Sequence, residues 1–214
     1  MTRPNPIHPW ETDLEFTQVM SQIQPYTLVD PVRCFMLYQL AKQASSHYGD
    51  VAEIGVYRGG TAKLLSRVFK STTRTIHLFD TFSGMPIPDP IRDLHKEKDF
   101  NDTSLKSVQT FMQDCQNVRF YEGLFPMTAE PVQQKFFCLV HIDVDIYRSV
   151  IDCCNFFYSR MVEGGIMIFD DYGFLSCPGA KLAVDEFFSN KPERVIYLPT
   201  GQCFISKESS QSDY

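Results

Sequence analysis

No strongly apolar stretch in this 214-residue chain exceeds five residues, far short of the roughly 20 that a membrane-spanning helix needs. Nothing in the sequence therefore asks for a membrane. Positive charge is also in short supply. Twenty Lys and Arg face 26 Asp and Glu, a formal net charge of −6, and no basic cluster is visible. Nucleic acid is accordingly not expected as a partner, because phosphate binding depends on grouped cations. Paired cysteines are missing as well. Cys34, Cys115, Cys138, Cys153, Cys154, Cys177 and Cys203 make an odd count without a C-x-x-C spacing. They read as reduced thiols of a cytoplasmic protein, mostly small core residues, and no cysteine–histidine cluster suggests zinc. The opening segment MTRPNPIHPWETD places prolines and acids where the apolar part of a secretory signal would begin, so no such signal is expected.

What the chain does have is core material. It is 43% hydrophobic, with 18 Phe and 10 Tyr, enough for one full domain. Residues 1–31 carry Pro4, Pro6, Pro9, Pro25 and Pro31 and read as a broken extension lying across the body, a lid or an interface. A helix is expected after Asp30-Pro31, which offer a cap and a first-turn proline, and Gly49-Asp50 should end it. Strand and helix then alternate. Strands are expected at residues 51–54, 76–79, 118–121, 136–142 and 166–169. Helices are marked by Ala62, Leu65 and Phe69, by Leu105, Val108 and Met112, by Val150, Cys154, Phe157 and Met161, and by Ala180, Val184, Phe187 and Phe188. Gly164-Gly165 is expected to turn the chain into the fifth strand. Residues 83–101 read as a long surface loop, and 207–214 as a mobile tail. Alternation of this kind implies a doubly wound α/β sheet, mostly parallel. A hairpin from residues 194–198 and 203–206 would add one antiparallel edge strand. That is the arrangement of class I methyltransferases, a Rossmann-like fold, here spanning residues 32–206.

Ligands of open α/β sheets bind beyond the carboxyl ends of the strands, and the residues there carry chemistry. The first strand ends in Glu53-Ile54-Gly55-Val56-Tyr57-Arg58-Gly59-Gly60-Thr61, a glycine turn that lets backbone approach a ligand at a helix N-terminus. Glu53 suits the ammonium of a methionine-like group better than a pyrophosphate, and the G-x-x-x-G-G spacing weakens a nicotinamide reading. Asp80 closes the second strand, where an acid accepts ribose hydroxyls or caps a turn with Thr81 and Ser83. Gly123-Leu124-Phe125 either borders an adenine or makes a plain turn. The sharpest feature is four aspartates on two neighbouring strand ends, Asp143 and Asp145 in His141-Ile142-Asp143-Val144-Asp145, and Asp170-Asp171 after Phe169. Four carboxylates so close repel unless a cation stands among them or some are protonated. Mg²⁺ is the simplest candidate. If the strand continued, Asp143 and Asp145 would share a face. His141 and His77 read as core histidines with backbone partners, Trp10 as a packing residue, and Tyr147 and Arg148 either touch substrate or start a helix.

With these motifs in hand, the chain resembles the macrocin O-methyltransferase family (TylF/MycF type). The likeness runs through GDVAEIGVYRGGT, HLFDTFSGMP, the Gly123 turn, HIDVDIYRSV, EGGIMIFDDYG and PGAKLAVDEFF. The resemblance implies an S-adenosylmethionine-dependent, Mg²⁺-dependent O-methyltransferase acting on a hydroxyl of a small molecule, with a sugar of a natural-product glycoside as the favoured acceptor. It implies that Glu53, Gly55, Tyr57 and Gly59 surround the methionine part of the cofactor. Asp80, Thr81 and Phe82 would surround the ribose, with Gly123 nearby. Asp143, Asp170 and Asp171 would hold the metal. Asp145 is the implied general base, with Asp143 the competing assignment. Residues 85–101 would form part of a substrate lid, and a homo-oligomer, a dimer, is implied. The stretch Tyr147-Arg148-Ser149-Val150 lacks the family's usual acid and threonine, which touches acceptor recognition rather than cofactor binding. The alternatives are a metal-dependent catechol or phenol methyltransferase with the same carboxylate layout, and a non-catalytic cofactor-binding partner in a biosynthetic pathway. A nicotinamide oxidoreductase comes last.

Overall fold

A computed structural model describes residues 8–209. The N-terminal segment is more regular than its prolines suggest. Two helices, α1 (Pro9–Thr12) and α2 (Leu14–Ile23), precede a single turn at Gln24–Tyr26. Asp13 caps α2 by accepting from the Phe16 amide at 2.9 Å. Phe16, Val19, Met20 and Ile23, spaced by three and four, turn one face inward. Residues 1–7 and 210–214, with Pro4, Pro6 and the end of the expected tail, lie outside the described residues.

The expected cap at α3 (Pro31–Ala44) is present, for Asp30 Oδ1 accepts from the Val32 and Arg33 amides at 2.9 and 3.1 Å. Strands and helices then follow as β1 (Asp50–Ile54), α4 (Gly60–Val68), β2 (Ile76–Asp80), α5 (Leu105–Phe111), β3 (Val118–Glu122), β4 (Phe137–Ile142), α6 (Tyr147–Phe157), β5 (Met161–Phe169), α7 (Pro178–Phe188), β6 (Ile196–Tyr197) and β7 (Cys203–Ser206). One seven-stranded sheet results, in the order β3-β2-β1-β4-β5-β7-β6. The first five strands are parallel; β7 runs antiparallel between β5 and the short β6. The expected hairpin therefore exists, with its second strand inserted and its first at the edge.

Alternate residues of the strands supply two cores. Val51, Leu139, Ile166 and Ile168 face a layer with α2, α3 and α4. Ala52, Val140, Met167 and Phe169 face α6 and α7. The sheet is thus covered on both faces, which is why its strands read as unbroken apolar runs.

Two expectations are corrected here. Met161 does not extend the stripe of α6 but opens β5, and Gly164-Gly165 is not a turn before the strand but a bulge within it. The pairing with β4 jumps from Phe137↔Met161 to Leu139↔Ile166. Gly164 takes φ +74°, and a Cβ there would meet the His47 ring at 2.4 Å, so the bulge needs glycine. Lys207 is also no free tail residue. Its amide donates to the Gly165 carbonyl at 2.8 Å, and its ammonium pairs with Glu193.

Candidate active site

The order of the strands switches between β1 and β4, because the chain builds β1, β2 and β3 outward and then returns to β1's other side. Beyond the carboxyl ends of these strands lies a cavity of about 310 Å³, the place where this topology leaves a crevice. Gly55 and Tyr57 after β1, Asp80 and Thr81 at the end of β2, and Gly123, Leu124 and Phe125 after β3 all line it. So do Asp143 and Asp145 after β4 and Asp171 after β5. Residues from Tyr26 to Val29 close one side, and Met85, Pro86, His95 and Phe100 of the long loop close another.

Three of the strand exits pass through left-handed backbone at a residue other than glycine, Tyr57 (φ 51°), Phe82 (φ 50°) and Asp145 (φ 57°). Strained residues of this kind collect where a site over-determines them. Gly55 has a stricter reason for its identity. A Cβ there would lie 1.7 Å from the Asp143 carbonyl oxygen, so only glycine lets β1 and β4 leave the sheet side by side.

Four residues predicted for the site stand behind the cavity rather than on it, namely Glu53, Gly59, Phe82 and Asp170. Glu53 is fully buried. Its Oε1 lies 2.9 Å from His141 Nδ1, while Oε2 is buried without a partner. Gly59 caps α4 and packs against Val108. Phe82 joins the core beside Phe120, and its amide donates to Asp80 Oδ1 at 2.7 Å. Asp80 itself is a turn builder. Its Oδ2 accepts from the Val56 and Tyr57 amides at 2.7 and 2.8 Å, which ties the glycine turn to β2, while Oδ1, already holding the Phe82 amide, keeps one lone pair for a ligand.

The aspartates converge, but not by strand alternation. β4 ends at Ile142, and Asp145 reaches the cavity through its left-handed turn, with its amide donating to Asp171 Oδ2 at 3.0 Å. Oxygens of Asp143, Asp170 and Asp171 lie within 4.8 Å of one another. Burial, then Asp170 and Asp145, push the Asp143 carboxyl well above its ordinary range, and burial with Asp145 and Asp143 does the same to Asp171. Burial raises Asp145 too, against the pull of His95. Asp170 goes the other way. Burial would raise it, but His141, Arg33 and Gln202 outweigh that and hold it low.

The histidines find side chains where backbone partners were expected. His141 joins Glu53 to Asp170, its Nε2 3.4 Å from Asp170 Oδ1. Burial disfavours its cation, yet the two carboxylates keep it protonated well above the usual range. Gln202 donates to the same Oδ1 at 2.7 Å, and Arg33 from α3 pairs with Oδ2. His77 meets Tyr121 at 2.8 Å and Asp50 at 3.1 Å. Tyr147 and Arg148 start α6 and bind Glu186 and Asp152, away from the cavity, while Trp10 packs on His8 and Phe35.

Sequence reasoning missed Arg33, Tyr26, His95 and Cys177. None stands in a strand-end motif, and each reaches the site from a segment distant in the chain.

The chain can be set beside characterised proteins. The sequence profile of macrocin O-methyltransferase (TylF) matches residues 24–196. The chain belongs to this family. Among relatives, it is 29% identical over 153 residues to the demethyldecarbamoylnovobiocin O-methyltransferase of Streptomyces niveus, covering 65% of this chain and 58% of that one. It is 31% identical over 157 residues to the mycinamicin III 3''-O-methyltransferase of Micromonospora griseorubida, covering 65% and 60%. The chain thus matches less than two thirds of the length of either. The solved O-methyltransferase NovP is similar at a TM-score of 0.75 and 26% identity over 86% of this chain and 83% of that one. The calicheamicin methyltransferase CalS11 shares the fold at a TM-score of 0.70 and 14% identity over 99% and 100%. This member of the macrocin O-methyltransferase family therefore has the class I methyltransferase fold, as its strand order indicates. Among its described residues no helix is long and apolar enough to cross a membrane.

Proposed function

We propose that this chain transfers a methyl group from S-adenosylmethionine to a hydroxyl of a small molecule, with a sugar hydroxyl of a natural-product glycoside as the acceptor. The observation that carries the reading is the group of carboxylates at the ends of β4 and β5, of which Asp143, Asp145 and Asp171 line the same cavity as the glycine turn of β1. Family membership and relatives named for methylating novobiocin and mycinamicin precursors support it.

In this reading Gly55 and Tyr57 receive the methionine part, Asp80 and Thr81 the ribose, and Gly123 to Phe125 the base. Glu53, Gly59 and Phe82 support those turns from behind. S-adenosylmethionine supplies a methyl already activated on a sulfonium, so the protein's task is alignment. A divalent cation such as Mg²⁺ would be held by Asp143, Asp170 and Asp171, where it would favour the ionised form of an acceptor hydroxyl. The donor set fits. Burial and mutual repulsion raise Asp143 and Asp171, which a bound cation would relieve, and Asp170 is fixed in place by His141, Arg33 and Gln202. Asp145 takes the acceptor's proton, and its raised carboxyl makes it a stronger base than an exposed aspartate. Tyr26 to Val29 and the 83–101 loop exclude water. On this reading the protein works as a homodimer in the cytoplasm.

Titration calorimetry with S-adenosylhomocysteine, followed by a mass screen of glycosides and phenols, tests this. Expected are binding of the nucleoside and a gain of one methylene on a glycoside. Binding of NAD in place of S-adenosylhomocysteine overturns the reading, and undiminished transfer in excess EDTA overturns the metal.

A further inference from the structure

Besides the strand-end aspartates, a second group of ligand-type side chains meets at the cavity. It comprises His95 from the 83–101 loop, Asp145 after β4, and Cys177 before α7. His95 Nε2 stands 3.6 Å from Asp145 Oδ1 and 3.5 Å from Cys177 Sγ, and that sulfur is 3.5 Å from the same Oδ1. A tetrahedral zinc ion bonded at about 2.0–2.3 Å to nitrogen, oxygen and sulfur spaces those ligands about 3.3–3.6 Å apart. The triangle therefore already has the dimensions of one tetrahedral face.

Its histidine is also held as a ligand is held. His95 Nδ1 lies 3.1 Å from Asp99 Oδ2. A proton donated there leaves the Nε2 lone pair facing Asp145 and Cys177, the orientation that a carboxylate behind a metal-bound imidazole enforces. A nitrogen, oxygen and sulfur set favours a borderline-soft cation over Mg²⁺, which prefers oxygen alone.

We propose that His95, Asp145 and Cys177 form a second cation site, for Zn²⁺, whose occupation switches the protein off. The ion would take up Asp145 and fasten the 83–101 loop to β4 and α7, with its fourth position open to the cavity. On binding, the Cys177 thiol forms the sulfur–metal bond and gives its proton to the buffer. The inhibitory half rests on the methyltransferase reading, through Asp145 as base; the cation site does not.

The full chain is titrated with Co²⁺ as a spectroscopic probe and with Zn²⁺, each in excess Mg²⁺. Expected are one Co²⁺ per chain with a thiolate charge-transfer band, displaced by Zn²⁺ and not by Mg²⁺, and release of one proton. Cys177→Ser should abolish the band, and His95→Ala should weaken Zn²⁺ binding at least 10-fold, while Asp143→Asn keeps both. Cys177→Ala with circular dichroism guards against a folding defect. Absence of the band in the wild-type protein, its persistence in Cys177→Ser, or unchanged Zn²⁺ affinity in both His95 and Cys177 variants overturns the site. Zn²⁺ should inhibit Mg²⁺-supported methyl transfer by the wild-type protein. Equal inhibition in His95→Ala overturns the switch, since the ion would then be acting at the aspartates.

Discussion

Asp145 owes its position to a backbone conformation that few side chains accept. At φ 57° an aspartate is tolerated where a branched residue would not be, and the turn it makes aims a second carboxylate into a space Asp143 already occupies. Charge crowding of this kind favours function over stability. Asp171→Asn removes a carboxyl whose ionised form burial and the neighbouring aspartates oppose, so the variant is expected to melt about 2–4 °C higher while losing any thermal shift on adding Mg²⁺. Differential scanning calorimetry reads both, and a lower Tm would show that Asp171 is not under repulsion. Asp50 presents the opposite case. Burial would raise its carboxyl, but His77, Lys135 and the Thr75 amide outweigh that and hold it at about 2, below the ordinary 3.8. A depressed folded-state value gives stability that is present above about pH 4 and lost as pH falls toward 2. Asp50→Asn should therefore cost about 1–2 kcal/mol at pH 7 and little at pH 2, measured by urea unfolding. At this scale the sequence revealed which acids would gather, because four aspartates at two strand ends are conspicuous. It did not reveal which of them is neutralised. Arg33 and Gln202, which hold Asp170, come from positions 137 and 32 residues away, and no local pattern announces such partners.

Among the elements, the parallel strands were legible because both faces of the sheet are covered and each strand is a short apolar run. Helix α2 was equally legible in principle, since Phe16, Val19, Met20 and Ile23 repeat with helical spacing, but the prolines on either side drew the reading toward irregular chain. Pro9 and Pro31 stand at the first turns of helices, where a missing amide costs nothing. The bulge at Gly164 was not legible, because two glycines look the same in a turn and in a strand that slips register. Nor did the 83–101 loop announce how it is pinned. Asp93 is buried and accepts from the Tyr147 amide at 2.9 Å and from the Asp89 amide at 2.8 Å, so the loop is fastened at the start of α6 without regular structure. Since α2 packs through fully buried Phe16 against Phe35 and Tyr38 of α3, Phe16→Ala should destabilise the protein by about 3–5 kcal/mol. Chemical denaturation checks this. A loss below about 1 kcal/mol would mean that α2 is an appendage rather than part of the core.

For the whole molecule, the sheet sets the floor of the site and two segments far apart in sequence set its walls. Arg33 and the chain from Tyr26 to Val29 approach from the N-terminal side, and Met85 to Phe100 from the other. The two walls share no strand, yet the buried series Glu53–His141–Asp170–Arg33 links β1, β4 and β5 to α3, and His95 brings the loop to Asp145. A ligand filling the cavity contacts both walls at once, and contacts that form only in the bound state lower the local opening of the segments that make them. Hydrogen exchange at residues 24–29 and 85–100 should therefore slow together when S-adenosylhomocysteine and Mg²⁺ are added, along with residues 55–57 and 80–81 at the turns. Slowing confined to the turns would show that the cofactor is held by the sheet alone, and that the walls answer only to the acceptor.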